Sequence, residues 1–186
     1  MFKITSIFIT VYLLAIGVQS KQCPLIQSMG DINGPAFMGL WYQLERYPDI
    51  FETGFKCQTA NYSLNTDGTV NITHNEYTDV GDYEISYHGY GIPQPNNPSN
   101  VTEIFPEFPP MNANVLVVAT DYVSYALTYS CRNLPFNQRY ENAWILGRNK
   151  TISSISPQTL SQLKQMLSSK GSSVQKFRLT TQDCDN

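Results

Sequence analysis

Residues 56–77, KCQTANYSLNTDGTVNITHNEY, decide the fold. Two runs rich in Thr, Val, Ile and Tyr flank Asn65-Thr66-Asp67-Gly68, whose residues supply the side-chain hydrogen bonds and left-handed backbone of a tight turn. The stretch therefore reads as a hairpin of strands 56–64 and 69–77. Outward from it the same grammar repeats. A strand at 39–46 precedes the hairpin, and strands at 83–91, 100–105, 114–120, 122–131 and 141–148 follow it. No helical period interrupts them. Eight strands with hairpin-length joints predict an all-β antiparallel meander, closed as a barrel or split into a sandwich.

One helix breaks the ladder near the end. Ser156 precedes Pro157, a capping residue followed by a proline at the first helical position. Leu160, Leu163, Met166 and Leu167 form one apolar stripe, and Gly171 ends the segment. A short strand is expected over 174–179. An immunoglobulin sandwich is disfavoured, because it wants a tryptophan some way after the first of two bridged cysteines, and none lies between Cys57 and Cys131. Here Trp41 precedes Cys57 and Trp144 follows Cys131.

The charge balance of 12 basic against 15 acidic residues lacks the basic stripe that nucleic-acid binding needs. At the start, Lys3, the apolar run 4–18 and Ser20 have the form of a signal peptide. Fifteen apolar residues span about 22 Å of helix, short of the ~30 Å hydrocarbon layer. The expected organisation is a signal peptide, 1–20, and a single secreted domain, 21–186. Cys23, Cys57, Cys131 and Cys184 are even in number and contain no CxxC pair, so two disulfides are expected, with three connectivities open. Asn61, Asn71, Asn100 and Asn149 each begin an Asn-x-Ser/Thr sequon. Glycans there would supply surface polarity to a chain with only 15% charged residues.

Further motifs carry a resemblance. Gly39-Leu40-Trp41 opens the first strand, Thr120-Asp121-Tyr122 joins the sixth and seventh, and Arg148 closes the eighth. Together they resemble the three motifs of the lipocalin family. The stretches around Cys57–Leu64, Tyr125–Cys131 and Ala143–Arg148 are similar to its apolipoprotein D and insect bilin-binding (Lazarillo-like) group. The resemblance implies an eight-stranded up-and-down antiparallel β-barrel with one C-terminal α-helix. It also implies the disulfides Cys23–Cys131 and Cys57–Cys184, each contributing about 2–5 kcal/mol. In such a meander Trp41, Asp121 and Arg148 share one rim, so a guanidinium over an indole is expected to plug the floor.

The other rim collects aromatic loops carrying Tyr47, Phe51, Phe55, Phe108 and Phe136, which favour an apolar ligand or a lipid surface. Glycans must point outward and strand side chains alternate. Outward Asn61 puts Gln58, Ala60, Tyr62 and Leu64 inside, and outward Asn71 does the same for Val70, Ile72 and His74. The facing of 122–131 stays open, since an outward Cys131 would expose Tyr125, Leu127 and Tyr129. By the resemblance, Tyr62, His74 and Trp144 line a cavity, with Ile72, Tyr47 and Phe108 beside them. Where the family's apolipoprotein D group has an amide, this chain has His74, which could hydrogen-bond a carboxylate or a bilin lactam. The bland reading of His74 is an outward, solvated ring.

No GxSxG, P-loop or HExxH motif is present, and His74 and His88 lack a third ligand at metal spacing. The expected function is a secreted, non-enzymatic carrier of a small hydrophobic ligand: a fatty acid, steroid, retinoid or bilin. No cofactor or metal is required for it, a bound lipid or bilin is compatible with it, and contact with a lipid surface or lipoprotein is a second expectation. The alternative is a protein-directed lipocalin of the salivary-inhibitor kind acting through its loops. That reading wants long or strongly charged loops at the open rim, which are absent here.

Overall fold

The computed structural model describes residues 22–81, 83–107 and 112–184. The expected signal segment and Phe108 lie outside these residues. Eight strands run in order: β1 (Gly39–Arg46), β2 (Phe55–Leu64), β3 (Val70–Thr78), β4 (Glu84–Gln94), β5 (Asn97–Ile104), β6 (Asn112–Thr120), β7 (Tyr125–Leu134) and β8 (Gln138–Gly147). Each pairs antiparallel with its neighbour in sequence, and β8 returns to β1. Strand β1 divides its edges: Gly39 to Tyr42 pair with β2, and Tyr42 to Arg46 with β8. The sheet thereby closes as a barrel. A two-residue strand, β9 (Arg178–Leu179), adds to β1 at Glu45 and Arg46.

The turn at the centre of the deciding hairpin forms as its residues require. Asp67 accepts from the Thr69 backbone N–H at 2.9 Å and its hydroxyl at 2.7 Å, while Gly68 takes φ 85°. Strands end where side chains take over backbone donors. The seventh begins at Tyr125 rather than 122, because the Asp121 carboxylate accepts from the N–H groups of Val123, Ser124 and Tyr125. The fourth runs beyond 91 through Pro93 to a register shift beside Gln94, and the fifth starts at Asn97. Only residues 178–179 of the expected terminal strand are extended; Val174–Lys176 forms a 3-10 turn.

Two helices complete the chain. The four-residue α1 (Gly34–Phe37), capped by Asn33, was not expected. Helix α2 (Pro157–Ser168) has the expected N-cap, with Ser156 Oγ accepting from Thr159 N–H at 3.0 Å. The disulfides are Cys23–Cys131 and Cys57–Cys184, tying the N-terminal segment to β7 and the tail to β2.

Two apolar clusters lie on opposite faces of the same strands. Inside, Phe37, Trp41, Val117, Ala126 and Leu146 fill the floor. Outside, Leu163 and Leu167 of α2 pack with Leu44, Tyr47, Leu127, Tyr129, Ala143, Ile145 and Phe177. This settles the facing of β7. Leu127 and Tyr129 point outward, and the helix buries them to 0% and 2% exposure.

Candidate functional site

The floor is built around Arg148. Its guanidinium carbon sits 3.7 Å from the centroid of the Trp41 ring. Its nitrogens donate to the carbonyls of Ala36, Phe37, Met38, Leu40 and Tyr122 at 2.8–3.1 Å. Trp41 Nε1 donates to the Phe37 carbonyl at 2.8 Å. Thr120 and Asp121 hold the adjacent turn, where Tyr122 adopts φ 68° and its hydroxyl accepts from Asn33 N–H. A planar cation thus satisfies the carbonyls that α1 and the start of β1 leave without partners.

Beside this plug, at the end of the barrel that carries the β2–β3 and β4–β5 turns, lies a cavity of about 240 Å³, walled by Phe37, Met38, Tyr62, Leu64, Gly68, Val70, Ile72, Pro93, Val101, Glu103 and Val117. Tyr62 and Ile72 stand opposite each other in the β2–β3 register, and His74 is the next inward residue of β3. Its ring packs 4.9 Å from that of Phe105. Phe105 can turn inward because Gly89 has no side chain; a Cβ there would lie 2.7 Å from the Phe105 ring and 2.6 Å from the Ile104 carbonyl.

Towards the open end the interior becomes polar. Trp144 Nε1 donates to Glu52 at 2.9 Å, and Gln43 donates to the same carboxylate at 3.0 Å. Arg46 pairs with it at 3.1 Å. Asp49 accepts from Tyr140 and Asn142, so two acids fasten the β1–β2 connection against β8. Glu76, inward on β3, interacts with Tyr87 and Gln58.

Burial shifts Glu52, Glu76, Glu103 and His74 towards their neutral forms. It raises the Glu52 carboxyl despite its Trp144 and Arg46 partners. It lifts Glu76 and Glu103 to about 7 and lowers His74 to about 4. The sign for His74 is that of a base kept neutral in the fold. The unfolded chain takes up a proton below about pH 6.5 that the folded chain refuses, so stability is lost as pH falls towards 4. Between about pH 7.5 and 5 that loss is about 2 kcal/mol. Glu76 and Glu103 act oppositely: their contribution is full below about 4.5 and is lost as pH rises through about 7. Because the two acids act alike in both proteins, urea denaturation should show His74→Gln gaining about 2 kcal/mol relative to the parent between about pH 7.5 and 5. A difference between variant and parent that does not change with pH would mean that the ring is solvated.

The expected site residues are distributed unevenly. Tyr62 and Ile72 line the cavity together, His74 lies beyond them on the same wall, and Trp144 belongs to the polar upper network. Tyr47 must be moved out of the pocket. It is 1% exposed on the barrel's outer face, bonded to Ser172 at 2.7 Å and edge-on to Phe177. A β-bulge between Gln43 and Glu45 shifts the register of β1 just before it. Glu103, Glu52 and Phe105 were missed. The signal for Glu103 was present: an outward Asn100 puts Val101 and Glu103 inside. Of the sequon residues, Asn61, Asn71 and Asn149 are exposed, whereas Asn100 is half-buried with its Oδ1 out of contact with solvent.

A family model described as "Lipocalin-like domain" matches residues 32–182. This chain belongs to the lipocalin family. Apolipoprotein D of Bos taurus is 35% identical over 86% of this chain and 80% of its own length. The Lazarillo protein of Schistocerca americana is 26% identical, over 90% and 82%. The solved structure of insecticyanin from Manduca sexta superposes with a TM-score of 0.72 at 20% identity, covering 90% of this chain and 89% of that one. That likeness concerns the fold, and it agrees with the lipocalin barrel described above.

Proposed function

We propose that this lipocalin is a secreted, non-enzymatic carrier that takes a small hydrophobic ligand, of the steroid, retinoid, bilin or fatty-acid kind, into its barrel. The observation that carries the reading is the apolar cavity beside the Arg148–Trp41 plug, at the end of the barrel away from the polar Glu52 network. Apolar walls with a few convergent polar groups suit an amphipathic molecule whose head must be oriented. Tyr62 and Ile72 form its wall, with His74 and Trp144 above. Two disulfides suit an oxidising compartment. Exposed Asn61, Asn71 and Asn149 would carry glycans at the closed end, clear of the opening.

Contact with a lipid surface or lipoprotein is a further part of this reading. Three open-end connections present apolar side chains to solvent: Ile50 and Phe51, Val80 and Tyr83, Leu134 and Phe136. Phe136 is 95% exposed. Native mass spectrometry of the secreted protein should find a retained small molecule. Ile72→Phe, which fills the cavity, should weaken binding of that molecule at least about ten-fold. Unaltered affinity in a folded Ile72→Phe variant would remove the cavity from the function.

A further inference from the structure

Resting on the carrier reading and narrowing its ligand class, we infer that the floor cavity recognises a ligand with a protonated amine head through the Glu103 carboxylate, and rejects carboxylate heads such as those of fatty acids and bilins. Strand β5 turns Glu103 inward, where its register partners are Gly91 on β4 and Ala113 on β6. Neither has a side chain that can donate. Among the described residues Glu103 is the one charged group lining the cavity, and no described residue hydrogen-bonds or ion-pairs with its carboxylate. The titratable neighbour facing it is the Tyr62 hydroxyl from β2, and β3 contributes Val70 and Ile72.

Of the described residues, the two arginines that reach the barrel interior are already engaged. Arg148 is stacked on Trp41 and bonded to backbone carbonyls, and Arg46 is paired with Glu52 at the opposite end. His74, held neutral by burial, cannot substitute for them. An anionic head would therefore meet one more anion in an apolar enclosure, with no counter-charge to offset its desolvation. A hydroxyl head would gain a single hydrogen bond. An ammonium would gain a charge-assisted bond and relieve the buried carboxylate at the same time. The alkyl or ring portion would lie on Phe37, Tyr62, Ile72 and Val117.

The test compares n-octylamine, n-octanol and octanoate, titrated by calorimetry into the full secreted protein at about pH 8, where Glu103 is ionised and the amine still protonated. The amine is expected to bind at least about ten-fold more tightly than octanoate. Glu103→Gln should abolish that preference while leaving octanol affinity within about two-fold. Should the variant not fold, by near-ultraviolet circular dichroism, the wild-type ratio decides alone. Octanol binding with no preference for the amine, or with a preference that survives Glu103→Gln, overturns this inference and leaves the carrier reading intact. Failure of all three probes to bind overturns the carrier reading at this cavity.

Discussion

Replacing Arg148 by alanine is expected to lower the unfolding free energy by about 3 kcal/mol. The side chain donates to five backbone carbonyls, three of them from α1 and the residue that follows it, and covers the Trp41 indole at 3.7 Å. Its removal strands acceptors that face a packed floor, and no other described side chain is positioned to replace it. Arg148→Lys should recover less than half of the loss, because an ammonium is a point donor without the planar fork that reaches several carbonyls. Urea denaturation with both disulfides intact would measure this as a fall in midpoint at unchanged slope. A loss below about 0.5 kcal/mol would show that the guanidinium merely decorates the rim.

Leu167→Ala should cost a similar amount, about 3 kcal/mol, at a site with no contact with the cavity. Leu167 is 0% exposed and lies with Leu163 against the outer face of the barrel, among Leu127, Tyr129 and Ile145. Met166, its neighbour on the helix, is 45% exposed, and its alanine variant should stay within about 0.5 kcal/mol of the parent. The contrast separates burial from helix propensity, which barely changes between the two substitutions. Ligand affinity should be unaffected in Leu167→Ala, since α2 covers the outside of the wall. A coupled loss of stability and binding would mean that the helix supports the cavity.

Much of this architecture was legible in local chemistry. The turn Asn65 to Thr69 needed only Asp67 as acceptor and Gly68 at positive φ, and both are written in four letters. Ser156 and Pro157 announced α2 in the same way. The parity argument from Asn61 and Asn71 correctly placed Tyr62, Ile72 and His74 on the inner face, because alternation is a property of the extended backbone. Applied to Asn100, the same alternation also turns Glu103 inward.

Other features had no local signal. Strand β7 looked contradictory because alternation assigns one face to the core and the other to water, whereas both of its faces are covered here. Tyr47 reads as part of the opening because it stands in a connection; a register shift in β1 and the arrival of Phe177, some 130 residues later, place it outside. Glu52 belongs to an irregular connection with no periodicity to read. Its partner Trp144 comes from a strand 92 residues away.

The amino-acid order by itself determined the number of strands, their turns, the capped helix and the alternation along each strand, because those depend on neighbours within a few bonds. Which alternating face became the inside, where the void was left, and which carboxyls lost their water were decided only when β8 met β1 and α2 lay down on the wall. Desolvation is a property of what surrounds a group in space. Glu103 became an unusual acid only once the barrel had closed around it.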